Sequence, residues 1–104
     1  MKYLIEENCL TIFLPQEVDH HQAEEIRKTA DSVIGDHHIK YVIFDFSETE
    51  FMDSSGIGAI MGRYRMIQLI GGEVWAVHTN KRIKKILTMS GVTKIMKIYE
   101  EEER

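Results

Sequence analysis

Two adjacent serines, Ser54 and Ser55, are the side chains of this sequence best placed to do chemistry. The apolar run before them, residues 41–46, is typical of a buried strand. After them, apolar residues recur at intervals of three or four, which is helical spacing. These residues are Ile57, Ile60, Met61, Tyr64 and Ile67. The serines are therefore expected at a junction between a strand and a helix.

Such a junction gives a hydroxyl a defined environment. The first turn of a helix has N–H groups without intrahelical partners and the positive end of the helix dipole, so Asp53 or Ser54 can cap the helix. A hydroxyl at this place is exposed to other molecules. If it were phosphorylated, the dianion would meet free N–H donors and a favourable dipole.

A serine between a strand and a helix could also be a nucleophile. The nucleophile elbow has the pattern Gly-x-Ser-x-Gly, whereas here Asp53-Ser54-Ser55-Gly56 stands in its place. The histidine that follows in the chain is His78, and no acidic residue to orient it is evident. A small serine hydrolase using Ser54 and His78 is thus the weaker alternative.

Metal and nucleotide sites are not predicted. The histidines other than His78 come as two adjacent pairs, at 20–21 and 37–38, whereas ligands on a helix are usually three or four residues apart. The glycines at 56 and 58 lack the Lys-Ser/Thr pair of a phosphate loop and the third glycine of a dinucleotide fingerprint. We expect no cofactor and no metal. His20 and His21, beside Asp19, could tune binding as the pH changes.

The charge of the chain limits its partners. A formal net charge of −4 argues against a surface that neutralises nucleic acid or anionic lipid. The basic cluster at 81–85 is interpreted as a solvated helix face. Carboxylates at Glu6 and Glu7 come too early for a secretory signal, and no apolar run approaches the ~20 residues that span a bilayer. With Cys9 as its single cysteine, the chain is expected in the cytoplasm.

The 104 residues predict one α/β domain covering 1–104. We predict strands at 2–5, 10–14, 41–46, 74–77 and 95–99. Helices are predicted after an Asp19 N-cap with Gly35 as the C′ residue, after the serines up to Gly71-Gly72, and at 81–89. The strand at 41–46 is expected to be covered on both faces or nearly so, and Gly58 and Gly62 to allow a close approach of backbones. Residues 100–104 are a charged end, helical for a turn at most.

Several segments together resemble a known family. They are residues 17–24, 51–58, 62–64, 70–73 and 89–91, and they lie in the same order over nearly the whole chain. This sequence resembles the STAS-domain anti-sigma factor antagonists, and most closely the sporulation members that act on sigma factor F. The resemblance implies a mixed β-sheet of four to five strands with helices packed mainly on one face. The sequence differs from this family at Pro15-Gln16, where many relatives have Gly. Its C-terminus is also short.

The resemblance also implies a function, that of a switch without enzymatic activity. The unphosphorylated form would bind an anti-sigma factor that is also a serine kinase, and so release the sigma factor for transcription. The kinase would phosphorylate Ser54, and this phosphorylation would end binding. A metal-dependent serine phosphatase would remove the phosphate. The partner-binding residues would be Asp19, His20, Asp53, Ser54, Ser55 and Gly56. A STAS module in a stress-signalling scaffold is the alternative.

Overall fold

The fold, taken from a computed structural model, is described for residues 1–100. Its strands are β1 (Lys2–Glu6), β2 (Cys9–Phe13), β3 (Glu17–Val18), β4 (Tyr41–Asp45), β5 (Phe51–Met52), β6 (Glu73–Thr79) and β7 (Lys97–Glu100). Its helices are α1 (His20–Asp36), α2 (Ser54–Leu69) and α3 (Lys81–Met89), with a 3-10 helix at Val92–Lys94. The charged end at 101–104 lies outside the described residues.

A five-stranded sheet forms the centre of the molecule, in the order β1-β2-β4-β6-β7. β1 is antiparallel to β2, and the other neighbours are parallel. This confirms the predicted mixed sheet. Because the parallel strands are in register, Leu10, Val42 and Val74 lie side by side on one face.

The core lies between that face and the helices. The next row on the same face, Ile12, Phe44 and Ala76, is also buried. The helices contribute further buried residues to the same cluster: Ile26 from α1, Ile60 and Ile67 from α2, and Ile83 and Leu87 from α3. One contiguous apolar cluster therefore joins the sheet to the helices on a single face.

The opposite face of the sheet is partly covered, so strand 41–46 is fully buried on one face and half-buried on the other. Tyr41 and Ile43 are half-buried there, and the Tyr41 ring stacks on Trp75 with centroids 5.6 Å apart. Aromatic and β-branched side chains suit a half-buried pleated surface as well as a fully buried one. The missing alternation of polar residues therefore did not mean that both faces are buried.

The helices α1 and α2 pack against each other and are joined by an ion pair between the buried Arg63 and the exposed Asp31. The Arg63 side chain is buried, and its Nε lies 3.0 Å from Asp31 Oδ1, without the alignment of a hydrogen bond. Desolvation by burial lowers the pKa of Arg63, and the Asp31 carboxylate partly offsets this. The pair links the two helices that begin at the candidate site.

Several predicted boundaries were wrong. Helix α1 runs through Gly35 to Asp36, because the His37 N–H donates to the Val33 carbonyl and prolongs the last turn. The last strand starts at Lys97 rather than residue 95, since the 3-10 helix precedes it.

The close approach predicted at Gly58 and Gly62 of α2 was also wrong. A Cβ added at Gly58 or Gly62 would meet nothing within 4 Å. The close approach is at Gly72 instead, where a Cβ would lie 1.9 Å from the Lys40 carbonyl oxygen. That contact joins the end of α2 to the start of β4.

Candidate functional site

A short parallel ribbon, formed by β3 and β5, organises the candidate site. Glu17 is paired with Phe51, and Val18 with Met52. The Asp53 N–H donates to the Val18 carbonyl at 3.2 Å and extends the pairing by one residue. Both strands end where a helix begins, so the ribbon brings the starts of α1 and α2 together. Each strand has only two residues, and the sequence did not predict either.

Two aspartates cap the helices that leave this ribbon. Asp19 Oδ1 accepts the Gln22 N–H at 2.9 Å, which confirms the predicted cap of α1. Asp53 Oδ1 accepts the N–H groups of Ser55 at 2.9 Å and Gly56 at 3.1 Å. Of the two residues predicted to cap α2, the cap is Asp53 and not Ser54.

The two serines lie in different environments. Ser54 is the first residue of α2 and is exposed, and within residues 1–100 its hydroxyl makes no hydrogen bond. Ser55 is half-buried, and its Oγ lies 3.4 Å from Nδ1 of the exposed His20, the first residue of α1. The hydroxyl of Ser54 is therefore the one that is free to react.

Gly56, one of the residues expected to take part in partner binding, is buried. A Cβ there would lie 2.6 Å from Met52 Cγ and 2.8 Å from Val18 Cγ1. Its lack of a side chain lets the first turn of α2 pack directly on the inner side of the ribbon. Gly56 thus positions the start of α2, where Ser54 lies.

The constellation needed for a serine hydrolase is not assembled. His78 lies at the end of β6 with a left-handed φ of 56°, and its Nε2 is 3.9 Å from Asp45 Oδ2. The Asp45 carboxylate also accepts the Ser47 N–H at 2.8 Å. In the part of the chain that the structure describes, no hydrogen bond joins His78 to Ser54.

The loop between β4 and β5 is tied down on two sides, which fixes the ribbon. Thr49 is buried, and its hydroxyl donates to the Pro15 carbonyl at 2.9 Å. The Asn80 side chain, the N-cap of α3, donates to the Thr49 carbonyl at 3.0 Å. Next to these, Gln16 donates to Glu50 at 2.8 Å. The Pro15-Gln16 segment is thus hydrogen-bonded to the loop that leads into β5.

Comparison with known proteins identifies the family. Residues 2–104 match the STAS domain family. This chain belongs to the STAS domain family. It is 38% identical over 93 residues to the anti-sigma F factor antagonist of Paenibacillus polymyxa, covering 89% of this chain and 80% of that protein.

Solved structures agree with this STAS fold. The anti-sigma factor antagonist SpoIIAA in its unphosphorylated form has a TM-score of 0.84 at 28% identity, over 93% of this chain and 85% of that one. The phosphorylated form of the Bacillus cell fate determinant SpoIIAA has a TM-score of 0.76 at 28% identity, over 93% of this chain and 88% of that one.

The site of this STAS domain is suited to binding and to modification of one hydroxyl. Among residues 1–100, no group of three or more His, Cys, Asp or Glu side chains could hold a metal ion. Over the same residues, no helix is long and apolar enough to cross a membrane. The geometry offers an exposed serine at a helix start, beside an acidic cap.

Proposed function

We propose that this protein is an anti-sigma factor antagonist controlled by phosphorylation of Ser54. Its unphosphorylated form binds an anti-sigma factor and so releases a sigma factor for transcription. The observation that carries this proposal is the state of Ser54, an exposed first residue of α2 whose hydroxyl is left free because Asp53 makes the capping bonds. The names of the relatives support the same role over that of a stress-signalling scaffold.

In the proposed function, the protein acts by binding a partner and not by catalysis. The chemistry belongs to its partners: the anti-sigma factor is also the serine kinase, and a metal-dependent serine phosphatase restores the free hydroxyl. All of them would act in the cytoplasm, on a single STAS domain that comprises residues 1–104.

The proposed partner-binding surface surrounds Ser54. It comprises Asp19 and His20 at the start of α1, and Asp53 and Ser55 around the start of α2. Asp19 and His20 are exposed, while Asp53 and Ser55 are half-buried. The two carboxylates make this surface acidic, which suits cationic side chains on the partner. Gly56 supports the surface from below.

Phosphorylation would change the charge of this surface without changing the fold. A phosphoserine carries about −1.5 to −2 charges at neutral pH. Because Ser54 is exposed and lies at the N-terminus of α2, the added phosphate would face solvent and the helix dipole. The helices and the core behind it should therefore remain as they are.

The loss of binding follows from repulsion. If the partner holds nucleotide phosphates near Ser54, like unit charges ~4 Å apart at an effective dielectric constant of ~20 repel by about 4 kcal/mol. This free energy corresponds to a several-hundredfold loss of affinity.

Mapping the phosphate tests the site. The purified protein is incubated with its cognate kinase and ATP, and the modified residue is located by mass spectrometry. We expect one phosphate, on Ser54, and none on a Ser54→Ala variant. The neighbouring Ser55→Ala variant is the matched control and should still be modified. A phosphate on Ser55 or elsewhere, with Ser54 unmodified, would contradict the assignment.

A further inference from the structure

Phe51 is exposed although it lies in a strand at the candidate site. Its relative exposure is 49%, whereas the next residue of β5, Met52, is buried. On β3 the pattern is the same, with Glu17 exposed and Val18 buried. The ribbon therefore has an inner side, packed under α2, and an outer side that presents an aromatic ring to solvent.

The outer side of the ribbon is continuous with the surface around Ser54. Phe51 comes two residues before Asp53, the N-cap of α2, and Glu17 two residues before Asp19, the N-cap of α1. Glu17 is directly beside Phe51 in the register of the ribbon. Phe51 thus lies beside Glu17 and three residues before Ser54 in the chain.

We propose that Phe51 is the apolar anchor of the docking surface, and that it fits a pocket on the anti-sigma factor rimmed by lysine or arginine side chains. This inference rests on the proposed function, and adds to it the residue that supplies affinity. Aromatic side chains surrounded by polar groups are typical centres of binding energy in protein interfaces. Phosphorylation of Ser54 would then add negative charge next to the surface that Phe51 anchors.

The charges on the ribbon favour a basic partner over a second copy of this chain. In a symmetric dimer through Phe51, the same patch faces itself, so Glu17 and Asp19 of one copy would meet the carboxylates of the other. Like charges across an interface oppose association. A partner with cationic groups around an apolar pocket is complementary in both respects.

Affinity measurements on exposed residues test the anchor. The purified anti-sigma factor is titrated with the wild-type protein, Phe51→Ala, and Leu69→Ala as control. Leu69 is 87% exposed at the far end of α2, so its truncation removes a comparable apolar side chain away from Ser54. We expect binding at least about tenfold weaker for Phe51→Ala and unchanged for Leu69→Ala. Circular dichroism checks the fold, and Phe51→Gln replaces the alanine variant if that one is not folded.

The outcomes separate this inference from the proposed function. A Ser54→Asp variant, which adds a negative charge at the modified position, is titrated in the same way. If it fails to bind but the folded Phe51 variant binds like the wild-type protein, the switch stands and the anchor is overturned. If the wild-type protein does not bind the anti-sigma factor, both are overturned. Sedimentation of the wild-type protein alone gives a third outcome: a dimer that Phe51→Ala abolishes would assign the ring to a second copy and contradict the proposal.

Discussion

Asp19 and Asp53 occupy equivalent positions, Asp19 between β3 and α1 and Asp53 between β5 and α2. Each follows a two-residue strand of the ribbon and caps a helix: the Asp19 side chain accepts one backbone N–H and the Asp53 side chain accepts two. Because β3 and β5 are parallel and in register, the two caps lie at the same end of the ribbon. The acidic surface around Ser54 is therefore a consequence of how α1 and α2 begin.

The cap of α2 should contribute measurably to stability. In an Asp53→Ala variant, the N–H groups of Ser55 and Gly56 lose their acceptor, and we expect the free energy of unfolding to fall by about 1 kcal/mol. Asp53→Asn, which keeps an acceptor oxygen, should lose much less. Urea unfolding measures both. Equal stability of the alanine and wild-type proteins would show that the cap is not formed in solution.

Two glycines of α2 should respond in opposite ways to the same substitution. At Gly56 a Cβ would overlap Met52 and Val18, so Gly56→Ala should lower the free energy of unfolding by about 1–3 kcal/mol. At Gly58 the space is open, and Gly58→Ala should raise it by about 0.5–1 kcal/mol, since alanine favours a helix. Thermal or urea unfolding of the two variants provides the comparison. A stabilised Gly56→Ala variant would contradict the close packing of α2 on the ribbon.

Cys9 should react slowly in the folded protein. Burial raises the pKa of the Cys9 thiol most, the Glu6 carboxylate adds to this, and a hydrogen bond with the Thr11 side chain partly offsets it. The thiolate fraction at mildly alkaline pH is then smaller than in the unfolded chain. We expect slower alkylation by iodoacetamide in buffer than in urea at the same pH. Equal rates would contradict the raised pKa.

The same shift has a consequence for stability. Because the pKa of Cys9 is raised on folding, its contribution to stability is complete below the pKa of the unfolded thiol. That contribution is lost as the pH rises through the higher pKa of the folded state. A Cys9→Ser variant should show a weaker fall in stability over that alkaline range, measured by urea unfolding at several pH values.

The sequence predicted the longer elements because their patterns are long. Helices α1 to α3 carry several apolar residues at helical spacing, and the strands of the five-stranded sheet lie in short runs rich in apolar residues. The sequence did not predict the ribbon, because a strand of two residues is too short to show a periodic pattern of apolar residues. Gly58 and Gly62 were misread for a related reason: their spacing gives a common face on the helix but does not say whether that face is packed.

The candidate site was predicted in part. The position of Ser54 at the start of a helix and the cap at Asp19 follow from local sequence, and both are present in the structure. That Ser54 and Asp19 belong to one site depends on tertiary structure, namely on the pairing of Val18 with Met52. The burial of Gly56 and the contact between His20 and Ser55 depend on the same pairing, so local sequence could not supply them.

The affinity of the anti-sigma factor for the two forms of this protein tests the central claim most directly. One sample is phosphorylated at Ser54, as verified by mass spectrometry, and the other is not. A Ser54→Ala sample treated with the kinase serves as control and should bind like the unphosphorylated protein. We predict that phosphorylation weakens binding several-hundredfold, as expected for about 4 kcal/mol of repulsion. Equal affinities of the phosphorylated and unphosphorylated forms would contradict the account.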